Sequence, residues 1–148
     1  MSSRQRMTAQ VMVGALMVVA CFLPGAAHAQ DVGPARGSLV IVGGAMRDPA
    51  IIERFIQLAG GSHAPIVVIP TAGGGETYDQ YYPGLRSFRE AGATDLTVLH
   101  TRDREEANSE AFVIALRRAR GVWFPGGRQW RLADAYLETR VHAELRGV

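Results

Sequence analysis

Lysine is absent from this chain: all 16 basic residues are arginine. We attribute this to genomic base composition rather than to a physical demand. Cysteine is almost absent too, with Cys21 alone. Cleavage after Ala29 would leave no cysteine, which excludes both a disulfide and a thiol nucleophile. No apolar run is long enough to span a bilayer, because the stretch Val11–Leu23 is short and ends in the helix breakers Pro24 and Gly25. An excess of one charge is also missing. Without Arg4 and Arg6, the 16 basic residues become 14 against 14 acidic, a balance that points to neither a nucleic-acid nor an anionic-membrane partner. Neither glycine-rich loop is a dinucleotide fingerprint or a Gly-Lys-Ser/Thr phosphate cradle. No serine stands in a Gly-x-Ser-x-Gly context, so Ser38, Ser62, Ser87 and Ser109 read as structural. His63, His100 and His142 have no metal-ligand spacing, and no metal or cofactor is expected.

What is present starts with an export signature. Arg4 and Arg6 precede the apolar stretch, and Ala27-His28-Ala29 offers small residues at the two positions that a signal peptidase probes. Residues 1–29 are expected to be a signal peptide, which implies a periplasmic or extracellular location. Val18-Val19-Ala20-Cys21 resembles a bacterial lipobox, so a lipoprotein anchored through Cys21 is the alternative. Residues 30–37 form a short polar linker.

From residue 38 the chain alternates short apolar runs with amphipathic stretches. Ser38–Val42, Ala64–Pro70, Asp95–His100 and Gly121–Phe124 read as strands. Asp48–Leu58, Tyr81–Ala91, the stretch from Asn108 or Ser109 to Arg118, Gln129–Leu137 and Val141–Leu145 read as helices. Strands apolar on both faces, separated by helices, imply an α/β fold: a parallel sheet with helices on both faces. Such a sheet holds ligands beyond the carboxyl ends of its strands, so the four loops there are the candidates. In the first, Asp48 is expected to cap the following helix. The second, Pro70–Glu76, has three consecutive glycines that call for mobility or close packing. The third, Thr101–Glu106, mixes charges and reads as a solvated loop, with His100 before it as a structural histidine. In the fourth, Pro125-Gly126-Gly127 joins a strand to a helix, where free backbone N–H groups can stabilise an oxyanion and Gln129 can reach the same point. The competing reading of this loop is a tight turn capped by Gln129.

Together these residues resemble the serine peptidase family of cyanophycinase and aspartyl dipeptidase, built on the class I glutamine amidotransferase-like fold with a flavodoxin-like core. Three markers over residues 37–148 carry the resemblance: Gly43-Gly44-Ala45 with Asp48, Val68-Ile69-Pro70-Thr71-Ala72, and Phe124-Pro125-Gly126-Gly127-Arg128-Gln129 followed by Arg131-Leu132. The resemblance implies that Gly126 or Gly127 gives a backbone N–H to an oxyanion hole, and that Gln129, with Thr71 and Arg128, lines a substrate pocket. Gly73 stands where the family has Ser, and Arg128 where it has Asp or Asn. The implied activity is hydrolysis of aspartyl-linked peptide or isopeptide bonds, β-aspartyl-arginine material among them, through an acyl-enzyme on serine. In this family the nucleophilic Ser, its base His and an acid follow the region seen here. The chain is therefore expected to be an incomplete, inactive domain, truncated before the nucleophile. The alternative is a non-catalytic binding module on the same fold.

Overall fold

A computed structural model describes residues 37–44 and 46–148; the signal peptide expected over residues 1–29 and residues 30–36 of the expected linker lie outside the described residues. Three parallel strands form the sheet: β1 (Ile66–Val68), β2 (Leu96–Val98) and β3 (Gly121–Trp123), in the order β2-β1-β3. Val67 at the centre of β1 pairs with Thr97 on one side and Val122 on the other. Around the sheet lie α1 (Pro49–Ala59), α2 (Arg86–Glu90), α3 (Arg104–Ala107), α4 (Glu110–Arg118), α5 (Trp130–Tyr136) and α6 (Arg140–Leu145). Single 3-10 turns cover Pro70–Ala72 and Pro83–Leu85.

The expected α/β architecture is the one that forms, and strand periodicity explains its layers. Alternate residues of β1 point to opposite faces. Ile66 and Val68 join Ile52 and Ile56 of α1 and Phe88 of α2 in one core. Val67 and Ile69 join Val113 and Leu116 of α4, Tyr136 of α5 and Val141 of α6 in the other. Fully burying an aliphatic or aromatic side chain of this size contributes about 1.5–3 kcal/mol, so these two layers hold strands that are only three residues long. Phe55, Phe88 and Trp123 meet edge to face, with ring centroids 5.1 to 6.1 Å apart. Gly121 makes room for this: a Cβ there would lie 2.8 Å from Phe55 Cζ and 3.1 Å from Ala59 Cβ.

Capping residues set the helix starts. Asp48 caps α1 as expected, accepting the Ala50 N–H at 2.9 Å, and Ser109 caps α4 by accepting the Phe112 N–H at 3.2 Å. The charged stretch after His100, expected as a loop, instead winds into α3. Asp103 accepts the Glu105 N–H at 2.8 Å, and Glu105 and Glu106 occupy the first turn, where acidic groups favour a helix. The segment expected to be a helix from Tyr81 is helical only from Pro83.

Ser38–Val42 does not form the expected strand. It runs as unpaired chain, with Leu39 69% and Ile41 84% exposed. The physical reason is that a β-branched run becomes a strand only where its main chain pairs with another strand's ladder. Here Ser38 and Val40 line a cleft together with Gly121 and Val122 and do not pair with β3. The Gly121 N–H and Trp123 C=O are turned to β1, so the alternation of a parallel ladder turns the Val122 main chain away from β1, toward the open edge. At the opposite edge, the Gln80 side-chain amide takes the place of a strand. Its Nε2 donates to the Val98 carbonyl at 3.3 Å, and its Oε1 accepts the Val98 N–H at 3.2 Å.

Candidate active site

Two of the four loops at the carboxyl ends of the strands come together. The second begins in the 3-10 turn Pro70–Ala72, and the fourth is the turn after β3. The Arg128 N–H donates to the Ala72 carbonyl at 2.9 Å. Arg131, in the first turn of α5, sends Nη1 to the carbonyls of Ala72 and Gly73 and lays its guanidinium 5.3 Å from the Trp130 ring centroid. The contact requires glycine at 127. Its φ is +124°, and a Cβ there would collide with the Ala72 carbonyl. Gly126 also has a positive φ, +93°, but an added Cβ there would meet nothing. Both glycines are exposed, and among the described residues no acceptor pairs with either N–H. Two adjacent backbone donors thus face solvent at the end of a parallel strand. Arg128 and Gln129 are exposed beside them. Gln129 stands at the N-cap of α5 but makes no side-chain cap bond, which leaves its amide available to a ligand. With only seven residues in α5, the backbone N–H groups rather than a helix dipole supply the positive potential here.

Thr71, expected to line the pocket, points inward. It is fully buried, and its hydroxyl is 2.9 Å from His100 Nδ1 and 2.7 Å from Tyr136 OH. This is a threonine–histidine pair, but no substrate can reach a hydroxyl with no exposed surface, so the pair supports the loop. His100 Nε2 lies 3.0 Å from the Glu76 carbonyl, and the Tyr136 hydroxyl accepts the Thr101 N–H at 3.2 Å. Burial pushes the Tyr136 phenol above its ordinary value, opposed by its bonds with Thr71 and the Thr101 N–H and reinforced by the nearby Glu106 charge. The three-glycine loop is correspondingly tied down. The Gly75 N–H donates to Tyr78 OH at 2.8 Å, its carbonyl accepts from Arg102 at 2.7 Å, and the Tyr78 ring packs edge-on against His100.

Reasoning from the sequence did not single out Tyr136 or Tyr78. Tyr136 reads there as one more apolar residue on a helix, and its polar role exists only because β1, β2 and α5 converge. Arg131 was visible as part of the third marker, without a role. Among the described residues, no three His, Asp or Glu side chains gather as metal ligands.

No family model matches the chain. Among characterised proteins, it is 32% identical over 116 residues to a cyanophycinase from Geminocystis herdmanii, an alignment covering 75% of this chain and 42% of that protein. It is 33% identical over 115 residues to a cyanophycinase from Synechococcus elongatus, covering 75% of this chain and 35% of that protein. A cyanophycinase from Nostoc sp. is 31% identical over 117 residues, covering 74% and 37%. The chain thus spans well under half the length of the relatives it matches.

Proposed function

From the premise that the chain belongs to a cyanophycinase-like family, we propose that it is part of a serine-type peptidase whose oxyanion hole is built from the Gly126 and Gly127 N–H groups. The observation that carries this reading is the pair of adjacent, exposed glycines at positive φ whose N–H donors are unpaired among the described residues, Gly127 packed against the Ala72 carbonyl. When a nucleophile adds to a peptide carbonyl, negative charge develops on its oxygen. Fixed backbone donors stabilise that charge without having to reorganise, and removing one such donor costs a factor of about 10²–10³ in rate. Gln129 and Arg128 are exposed next to this turn and would orient the substrate. An arginine there suits a peptide carrying carboxylates, which supports aspartyl-linked peptides or isopeptides as the substrate class. Thr71 acts indirectly, by anchoring the loop whose Ala72 carbonyl holds Arg128.

The attacking serine needs a base within hydrogen-bond reach. Among the described residues no serine hydroxyl is bonded to a histidine. The two threonines that are, Thr71 and Thr94, are respectively buried and committed to a carbonyl. We therefore assign the nucleophile, base and acid to sequence beyond these residues and take the 148-residue chain to be inactive. No metal or cofactor enters the reaction as proposed. Export through residues 1–29, with anchoring through Cys21 as the variant, would put the enzyme where external peptide can be scavenged.

A serine-directed fluorophosphonate tests the assignment. The chain of 148 residues should remain unlabelled. A protein extended by its downstream coding sequence should label once, with loss of the label when the new serine is replaced by alanine. Labelling of the short chain would overturn the placement of the nucleophile. An extended protein that never labels would favour a binding module.

A further inference from the structure

The described residues contain two threonine–histidine pairs, and hydrogen accounting gives them opposite wiring. In the exposed pair, Thr94 Oγ1 donates to the Ser62 carbonyl at 3.0 Å. Its only proton is thereby used, so the His63 Nδ1 at 3.0 Å must be the donor. The inner pair is the reverse. A carbonyl can only accept, so His100 Nε2, 3.0 Å from the Glu76 carbonyl, carries a proton. The Tyr136 oxygen accepts the Thr101 N–H at 3.2 Å, and the one acceptor in reach of its own proton among the described residues is Thr71 Oγ1 at 2.7 Å, so the arrangement that uses every proton has Tyr136 donating to Thr71. The Thr71 proton is then free to run to His100 Nδ1 at 2.9 Å. Each proton in the chain Tyr136, Thr71, His100, Glu76 carbonyl has one acceptor and none is left over. A second ring proton, on His100 Nδ1, would turn the Thr71 hydroxyl round to donate to the Tyr136 oxygen and leave the buried Tyr136 phenol proton without an acceptor among the described residues.

We infer that this one-directional relay fixes His100 as the neutral Nε2–H tautomer and makes Thr71, His100 and Tyr136 positioning residues for the turn at Gly126-Gly127. The mechanical link is short. Thr71 precedes Ala72, whose carbonyl receives the Arg128 N–H, and Glu76 closes the same loop whose Gly73 carbonyl receives Arg131. Neutral His100 therefore clamps the loop at both ends, and the loop supports the turn from below. The catalytic consequence rests on the oxyanion reading above; the clamp itself does not.

Long-range proton–nitrogen NMR of the isotopically labelled 148-residue chain reads the tautomers directly. At neutral pH, His100 should show a protonated Nε2 and a bare Nδ1, with His63 reversed as an internal control. A His100 with its proton on Nδ1, or an even mixture of tautomers, overturns the relay. Positioning is read by hydrogen exchange of the Arg128 amide. Thr71→Val keeps the shape but removes the hydroxyl; it should speed that exchange roughly tenfold and leave Val113 in α4 unchanged. Thr71→Ser keeps the hydroxyl and should behave like the parent. If Thr71 only fills space, the valine variant stays protected and the serine variant loosens, which overturns the positioning role. None of these readouts needs peptidase activity, so they stand even if fluorophosphonate labelling of the extended protein fails.

Discussion

Gly127 and Gly126 look alike in the sequence, yet the structure separates them. Gly127→Ala should destabilise the chain by about 2–3 kcal/mol, since positive-φ strain adds to a collision with the Ala72 carbonyl. Gly126→Ala meets only the strain and should cost about 1 kcal/mol. Urea midpoints of the two variants check the order, and an equal loss would contradict it. Tyr136 offers a second test. Its folded pKa lies above the ordinary phenol value of 10.0. Its contribution is thus complete below that value and is lost as pH rises through the folded pKa, because the unfolded phenol ionises first. Tyr136→Phe should cost about 1–2 kcal/mol at neutral pH by leaving the buried Thr101 N–H without its acceptor. The same variant should lose less stability than the parent above pH 10, which urea titrations at the two pH values would show. Tyr82, also raised by burial, remains in both proteins and cancels in the difference. Thr71 shows where sequence reading stops at this scale. The motif marked the residue as important, but the direction of its side chain depends on residues 29 and 65 positions away.

Among the elements, those set by local chemistry were legible. The period of apolar residues placed α1 and α4, while Asp48 marked one start and Asn108 or Ser109 the other, Ser109 being the cap that forms. Replacing the Ser109 cap with alanine should cost about 1 kcal/mol, seen as a lower thermal midpoint with an unchanged far-ultraviolet spectrum. An unchanged midpoint would mean that the tie from Glu110 to Arg117 and Arg140 holds the end of α4 by itself. That tie is exposed, and the Glu110 carboxyl is held below its ordinary range chiefly by its Arg117 hydrogen bond. What it adds is present above the ordinary carboxylate range and fades as pH falls through the lowered value. The elements that were not legible depend on distant partners. Ser38–Val42 has every local mark of a strand but does not pair with the open edge of β3, with which it lines a cleft. The Thr101–Glu106 stretch looked solvated, and from Arg102 onward it is exposed, but Thr101 is buried and a single Asp103 cap was enough to wind the second half.

The whole molecule inherits the asymmetry of its sheet. The α/β class and the parallel sheet could be read from the alternation of runs and amphipathic stretches. The strand order could not, because nothing local states that β1 lies between β2 and β3. Two large apolar side chains, Leu39 and Ile41, are exposed beside the open edge, the kind of surface that drives association. Replacing both with arginine should raise the concentration at which the chain stays monodisperse in light scattering and leave its melting temperature within about 1 °C, since surface changes of this kind shift stability little.

The Gln80 amide has a consequence for assembly. A sheet open on both sides can add copies indefinitely and grow into a ribbon. With Val98 occupied by Gln80, the sheet of the described residues has one open edge, so two copies joined through β3 would have none of it left to extend. Pairing would then terminate itself. Gln80 would thereby act as a chain terminator, a single side chain standing where a further strand could add.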